Sequence, residues 1–183
     1  DVVAAIDMRR VGGQVLAAQA HDPDFNRSLV IVLGPFMGKE ERDEIHRAAA
    51  ALPRAHVIDF HNRLEVLLDG AAAVVSMAGY NTFCEILSLN KRALLVPRVA
   101  PRQEQLIRAT RAAELGLIDM LTPDEAMNPS VMAARLRALV ERRQPLDAGA
   151  GAMLTGLERI RDLVKSYFSH ADRPEVFLPP AAS

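Results

Sequence analysis

Short apolar runs alternate with longer amphipathic stretches along most of the chain, and this alternation constrains the fold more than any single residue does. Ser28 to Leu33 reads SLVIVL, residues 72–76 read AAVVS and residues 93–96 read ALLV. Unbroken apolar runs of this length fit strands buried on both faces, as in a parallel sheet. Val2 to Ile6, His56 to Phe60 and Ile118 to Leu121 are the remaining strand candidates. Between the runs lie segments with helical spacing: Val11 to Ala20, Lys39 to Leu52, Arg63 to Leu68, Tyr80 to Leu89 and Pro101 to Leu115. Two further helices are expected, from Asn128 to about Arg143 and from the Gly149–Gly151 loop to about Phe168. Gly34-Pro35, Pro53, Pro97 and Gly116 punctuate the elements where turns are needed.

Strand–helix alternation implies βα units with right-handed crossovers. The expected fold is α/β: one Rossmann-like, doubly wound domain of about six mostly parallel strands, helices on both faces, and C-terminal helices. The domain is expected over residues 1–168, followed by an extended tail over 169–183 that carries three prolines. A chain of 183 residues has room for one such domain. It starts at Asp1 rather than Met, and a piece of a larger protein is expected.

Charge excludes some partners. The formal net charge is −1 and the pI about 6.6, so no broad basic surface for nucleic acid or anionic lipid is expected. No apolar run approaches the ~20 residues that span a bilayer. The lone cysteine, Cys84, permits no internal disulfide and fits a reducing, cytoplasmic setting. It has no catalytic partner in sequence and is expected as a buried thiol. The histidines show no ligand spacing, so no metal site is expected.

In a doubly wound sheet, ligands bind beyond the carboxyl ends of the strands, at the switch in strand order. Four strand-to-helix loops therefore carry the candidate chemistry. Ser76 to Glu85 reads SMAGYNTFCE. Here a buried strand ends, Gly79 gives close backbone access, and a helix start offers free N–H groups and the positive end of its dipole to an anion. On the helix, Tyr80, Phe83, Ile86 and Leu87 fall on the core side, while Asn81, Glu85 and Ser88 share the opposite face. A carboxylate about a turn from an anion site would repel phosphate but accept two hydrogen bonds from a neighbouring diol such as a ribose. The competing reading is an ordinary exposed glutamate on a helix start.

The loop from Pro97 to Gln105 reads PRVAPRQEQ and concentrates guanidinium, amide and carboxylate groups of the kind that read sugar hydroxyls; a solvated helix start is the competing reading. Phe60-His61-Asn62 follows the third strand, with His61 either a general base or part of a polar loop that shows its backbone. Asp7 to Gly13 (DMRRVGG) follows the first strand, but its glycines come late and it matches no GxGxxG or Walker pattern.

With these residues laid out, the chain resembles the C-terminal, donor-binding domain of GT-B glycosyltransferases, in the MurG-like group (glycosyltransferase family 28 C-terminal type). The resemblance is best from about His56 to Leu121: a strand, an Ala-Gly turn, a helix carrying Thr82 then Glu85, a Leu-Leu-Val-Pro strand and a Gln-containing helix start. It implies that Ala78, Gly79 and Tyr80 face the donor diphosphate, with Asn81 and Thr82 in the same turn. It implies that Glu85 holds the ribose hydroxyls, that Phe60 and His61 meet the nucleobase through main-chain groups, and that Leu64 packs on the base. Glu104 and Gln105 fall where the family contacts the sugar. Arg98 or Arg102 adding diphosphate contacts is our own assignment, not a family rule.

The position eight before Glu85 holds Met77, not the second glutamate of the retaining GT-B type, which favours the inverting group. The first loop departs from the family's glycine-rich pattern. The implied function is the donor-binding half of an inverting glycosyltransferase that moves a sugar from a UDP-linked nucleotide-sugar to an acceptor, with no cofactor. The catalytic base and acceptor site would lie in an N-terminal domain or partner subunit not contained here. That partner would bring the chain to the inner membrane face, and the isolated chain would be inactive. Two other readings stay open: an NDP-sugar 2-epimerase domain, and a non-catalytic nucleotide-binding α/β module.

Overall fold

The computed structural model describes residues 2–7, 11–101, 103–153 and 155–169. The chain forms two units, Asp1–Ala150 and Gly151–Ser183. In the first, β1 (Val2–Asp7), α1 (Val11–His21), β2 (Ser28–Leu33), α2 (Lys39–Ala50) and β3 (Ala55–Ile58) are followed by α3 (Leu64–Gly70), β4 (Ala73–Ser76) and α4 (Tyr80–Ser88). Then come β5 (Arg92–Leu95), α5 (Glu104–Glu114), β6 (Asp119–Met120), α6 (Pro123–Ala126) and α7 (Pro129–Leu139). The described part of the second unit contains α8 (Gly156–Ser169), whose Ile160, Leu163, Val164 and Tyr167 form an exposed stripe at helical spacing. Of the extended tail expected over 169–183, Ser169 is instead the last residue of α8, and residues 170–183 lie outside the described residues.

The six strands among the described residues form one sheet in the order β3-β2-β1-β4-β5-β6, and every pairing is parallel. Strand side chains alternate between two cores, as the two-residue period requires. Val3, Ala5, Leu29, Ile31, Leu33, Val75 and Leu94 face one, closed by α1, α2 and α7. Ala4, Ile6, Val74, Ala93 and Leu95 face the other, closed by α3, α4 and α5. Both faces are therefore covered, and this is why β2, β4 and β5 read as continuous apolar runs.

Several boundaries differ from expectation for visible reasons. β3 ends at Ile58 because Asp59 turns to α2, where it accepts a bond from His46 Nε2 at 2.9 Å and pairs with Arg42 at 3.3 Å. α5 starts at Glu104, not Pro101, because Arg98 N–H donates to Gln105 Oε1 at 3.2 Å and holds residues 97–101 as a loop. α6 was not expected, although Thr122 and Glu125 spell a capping box and both its bonds are made. Two side chains expected in the core are not there: Tyr80 is 68% exposed, and Cys84 is only half-buried. Tyr80 opens α4, and its ring lies beside the Arg108 guanidinium, 5.4 Å from the ring centroid, instead of in the core.

Arg137 on α7 donates two bonds to Asp22 in the α1–β2 connection. The hydrogen bond from Arg137 holds the Asp22 carboxyl below the usual range. A depressed native pKa stabilises the fold above the unfolded value, about 3.9, and that contribution is lost as pH falls through the native value. Asp22→Asn should therefore lower the melting temperature at pH 7. Thermal unfolding repeated below pH 4 should show the gap between variant and parent closing.

Candidate functional site

β1 and β4 are adjacent, and the chain leaves them toward opposite faces of the sheet. A crevice must open between their carboxyl ends. Ile6 and Ser76, paired in register, form its floor. The cleft above them has a volume of about 610 Å³. Leu64 reaches it from the start of α3, Gly79, Tyr80, Asn81, Thr82 and Glu85 from the β4–α4 turn and helix, and Arg98 and Gln105 from the β5–α5 segment.

The β4–α4 turn is tightly built. Ala78 is fully buried and takes a left-handed backbone, φ 65°. Its N–H donates to Ser76 Oγ at 3.4 Å, and its carbonyl accepts from Arg108 Nη1 at 2.6 Å. Gly79 follows as the N-cap with φ −55°, and no side chain caps the first turn of α4. A Cβ on Gly79 would meet no protein atom within 4 Å. The open amides of this nine-residue helix thus face the cleft at the positive end of its dipole.

Glu85 supplies the counterpart. It is half-buried on the cleft wall, and its Oε2 is buried with no hydrogen-bond partner. A buried carboxylate oxygen without a donor costs free energy that a folded protein rarely tolerates without reason. Across the cleft, Gln105 spends its Oε1 on the Arg98 N–H, a bond that does not use its Nε2 donors.

Of the residues singled out in sequence, Leu64, Gly79, Tyr80, Asn81, Thr82, Glu85, Arg98 and Gln105 line this one cleft. Ala78 lies beneath the turn. Glu104 is exposed at the first turn of α5. Phe60 is 63% exposed, and His61 Nδ1 accepts from the Arg63 N–H at 3.2 Å; neither lines the cleft. Arg102 lies outside the described residues, as do Met8, Arg9 and Arg10 of the first loop. Gly34 and Phe36 were missed: they line the cleft from the β2–α2 connection, with Phe36 84% exposed. The available signal was an aromatic directly after a Gly-Pro strand stop.

A cavity of similar volume, about 640 Å³, opens at the amino ends of β2 and β3, the edge away from the switch point. Gln19 lines it, and its Oε1 is buried without a partner. A neutral amide oxygen is satisfied by one water, and the charged residues that line this cavity, Asp24 and Arg54, are both exposed, with no buried atom left without a partner. Among the described residues no cluster suited to a metal ion is found.

The chain matches the model of the glycosyltransferase family 28 C-terminal domain over residues 13–165. It is 36% identical over 96 residues to the UDP-N-acetylglucosamine--N-acetylmuramyl-(pentapeptide) pyrophosphoryl-undecaprenol N-acetylglucosamine transferase of Geobacillus kaustophilus, a match covering 50% of this chain and 27% of the relative. The curated relatives it matches are thus much longer, and the match spans under a third of their length. Among solved structures, Acinetobacter baumannii MurG superposes with a TM-score of 0.64 at 17% identity, over 89% of this chain and 49% of that one. A putative UDP-N-acetylglucosamine 2-epimerase from Listeria monocytogenes gives 0.62 at 16% identity, over 98% and 48%. At such identities the superpositions establish the fold alone.

Proposed function

The chain belongs to the glycosyltransferase family 28 C-terminal domain family, and from that premise we propose that its cleft holds the nucleotide-sugar donor of an inverting glycosyltransferase, with a UDP-linked sugar as donor. One observation carries this reading: the partnerless, buried Oε2 of Glu85 on the same wall as the uncapped start of α4. A ligand that presents a diphosphate to the helix start and a vicinal diol one turn further along satisfies both at once.

In this reading the amides of Gly79, Tyr80, Asn81 and Thr82, on the turn that Ala78 shapes, meet the diphosphate. Glu85 accepts from the ribose hydroxyls. Leu64 packs on the base, with Phe60 and His61 contributing main-chain groups at its edge. Gln105 and Glu104 read the sugar hydroxyls, and Arg98 or Arg102 adds positive charge beside the phosphates. Transfer breaks the bond between the anomeric carbon and the phosphate oxygen while an acceptor hydroxyl attacks from the opposite face. The negative charge that grows on the departing diphosphate is met by pre-aimed N–H donors of α4. The base that takes the acceptor's proton belongs to the part of the longer protein not contained in this chain. Without that half, effective molarity is lost, so the isolated chain binds donor but transfers little. No helix among the described residues is long and apolar enough to cross a membrane, and any membrane contact is assigned to the partner half.

Calorimetric titration of the 183-residue chain with UDP, GDP and dTDP, and then their sugars, tests the proposal. Saturable binding of one nucleotide is expected; none binding would overturn it. Turnover of the sugar nucleotide after the missing half is supplied separates transfer from epimerisation. Gln105→Ala should weaken the sugar nucleotide by about 1 kcal/mol more than the bare nucleotide, because loss of the Arg98 brace acts on both ligands alike. Equal weakening of the two would remove Gln105 from the sugar site.

A further inference from the structure

We infer that Arg108, which does not line the cleft, is the positioning residue that aims the diphosphate-binding amides. The inference rests on the reading of the cleft as a nucleotide-diphosphate site.

Gln105 and Arg108 are three residues apart on α5, so they share a face of that helix. Each holds a different wall of the cleft. Gln105 accepts the Arg98 N–H and folds the β5–α5 loop. Arg108 reaches the other side, where Nη1 donates to the Ala78 carbonyl at 2.6 Å. Its guanidinium carbon also lies 5.4 Å from the centroid of the Tyr80 ring and 6.0 Å from that of Phe83, within cation–π range of both.

The Ala78 bond has a specific consequence. Ala78 is fully buried, so its carbonyl needs a partner inside the protein. The peptide that carries this carbonyl also carries the Gly79 N–H. The unit is planar and trans, so pinning the oxygen toward Arg108 directs the Gly79 N–H the opposite way, away from α5. Gly79 lines the cleft. Ala78 adopts φ 65°, a region that alanine seldom occupies. With the carbonyl released, the 78–79 peptide can relax and carry the amide off its aim.

The stacked rings add a second constraint. Tyr80 is mostly exposed and lacks core packing, so the guanidinium plane is what holds its ring against α5. No carboxylate pairs with Arg108 among the described residues, so a purely salt-bridging role does not account for it. Nothing in the sequence pointed to this residue. It sits in mid-helix, and its partner is a backbone atom thirty residues away in sequence.

The test compares UDP with uridine on the full 183-residue chain. If Arg108 aims the amides, Arg108→Ala lowers UDP affinity about tenfold and leaves uridine affinity unchanged. Arg108→Lys keeps a donor but loses the planar stack, and it lowers UDP affinity by a smaller factor, again sparing uridine. A merely structural residue would change both ligands together. An unchanged UDP-to-uridine ratio in folded Arg108→Ala therefore overturns the inference. Should circular dichroism show that variant unfolded, an unchanged ratio in Arg108→Lys does the same. A parent chain that binds neither UDP nor uridine instead defeats the underlying reading of the cleft.

Discussion

Glu85→Ala should weaken nucleotide binding by about 1.5–3 kcal/mol, the range for hydrogen bonds to a charged group, or about ten- to a hundredfold in dissociation constant. Its buried Oε2 has no donor in the protein, so the ligand's hydroxyls would be its partners. The penalty should shrink when a 2′-deoxynucleotide replaces the ribonucleotide, because one of the two bonds is then missing in the parent as well. An equal loss for both sugars would detach Glu85 from the pentose. The unliganded fold should behave in the opposite sense. A polar oxygen buried without a donor costs stability, so removing it should leave the melting temperature unchanged or raised. A variant that lost binding only because it had lost stability would contradict the assignment.

Gly79→Asp should abolish measurable diphosphate binding, with a loss above about 3 kcal/mol, while the fold keeps its stability. Gly79 occupies the N-cap of α4 at φ −55° and ψ 144°, and beyond its chain neighbours no atom lies within 4 Å of a new Cβ. Aspartate is a favoured N-cap, and its carboxylate can accept from the first-turn amides. Those are the donors assigned to the phosphates, so the side chain takes their place and repels the ligand too. Two charge-assisted bonds at about 1.5–3 kcal/mol each set the size of the loss. Glycine at an N-cap is worse than aspartate by only a few tenths of a kcal/mol, so thermal unfolding should shift slightly upward. Parent-like UDP binding by this variant would move the diphosphate away from α4.

Much of the lining of the candidate cleft was legible because those residues are close together in sequence. The Ala-Gly turn, the helix start and Glu85 lie within one strand–helix unit, and residues four apart share a helix face wherever that helix packs. Gln105 and Arg98 were legible for the same reason, as neighbours in one loop. Tyr80 was misread because helical periodicity assigns a face but does not say which residues of that face the core covers. Gly34 and Phe36 went unnoticed because their loop enters the cleft only if β2 lies beside β1. Arg108 went unnoticed because it acts through a carbonyl on a different βα unit.

Apolar runs of strand length, broken by glycine and proline and separated by amphipathic helices, were enough to specify a parallel sheet buried on both sides. Burial on two faces demands such runs, and parallel neighbours demand crossovers. Local pattern carries no comparable instruction for strand order. Each βα unit has the same period and the same need for cover, and the choice of neighbour depends on side-chain packing between segments far apart in the chain. That packing set β1 against β4, with Ile6 level with Ser76, and so opened the crevice into which Glu85, Gly79 and Gln105 converge.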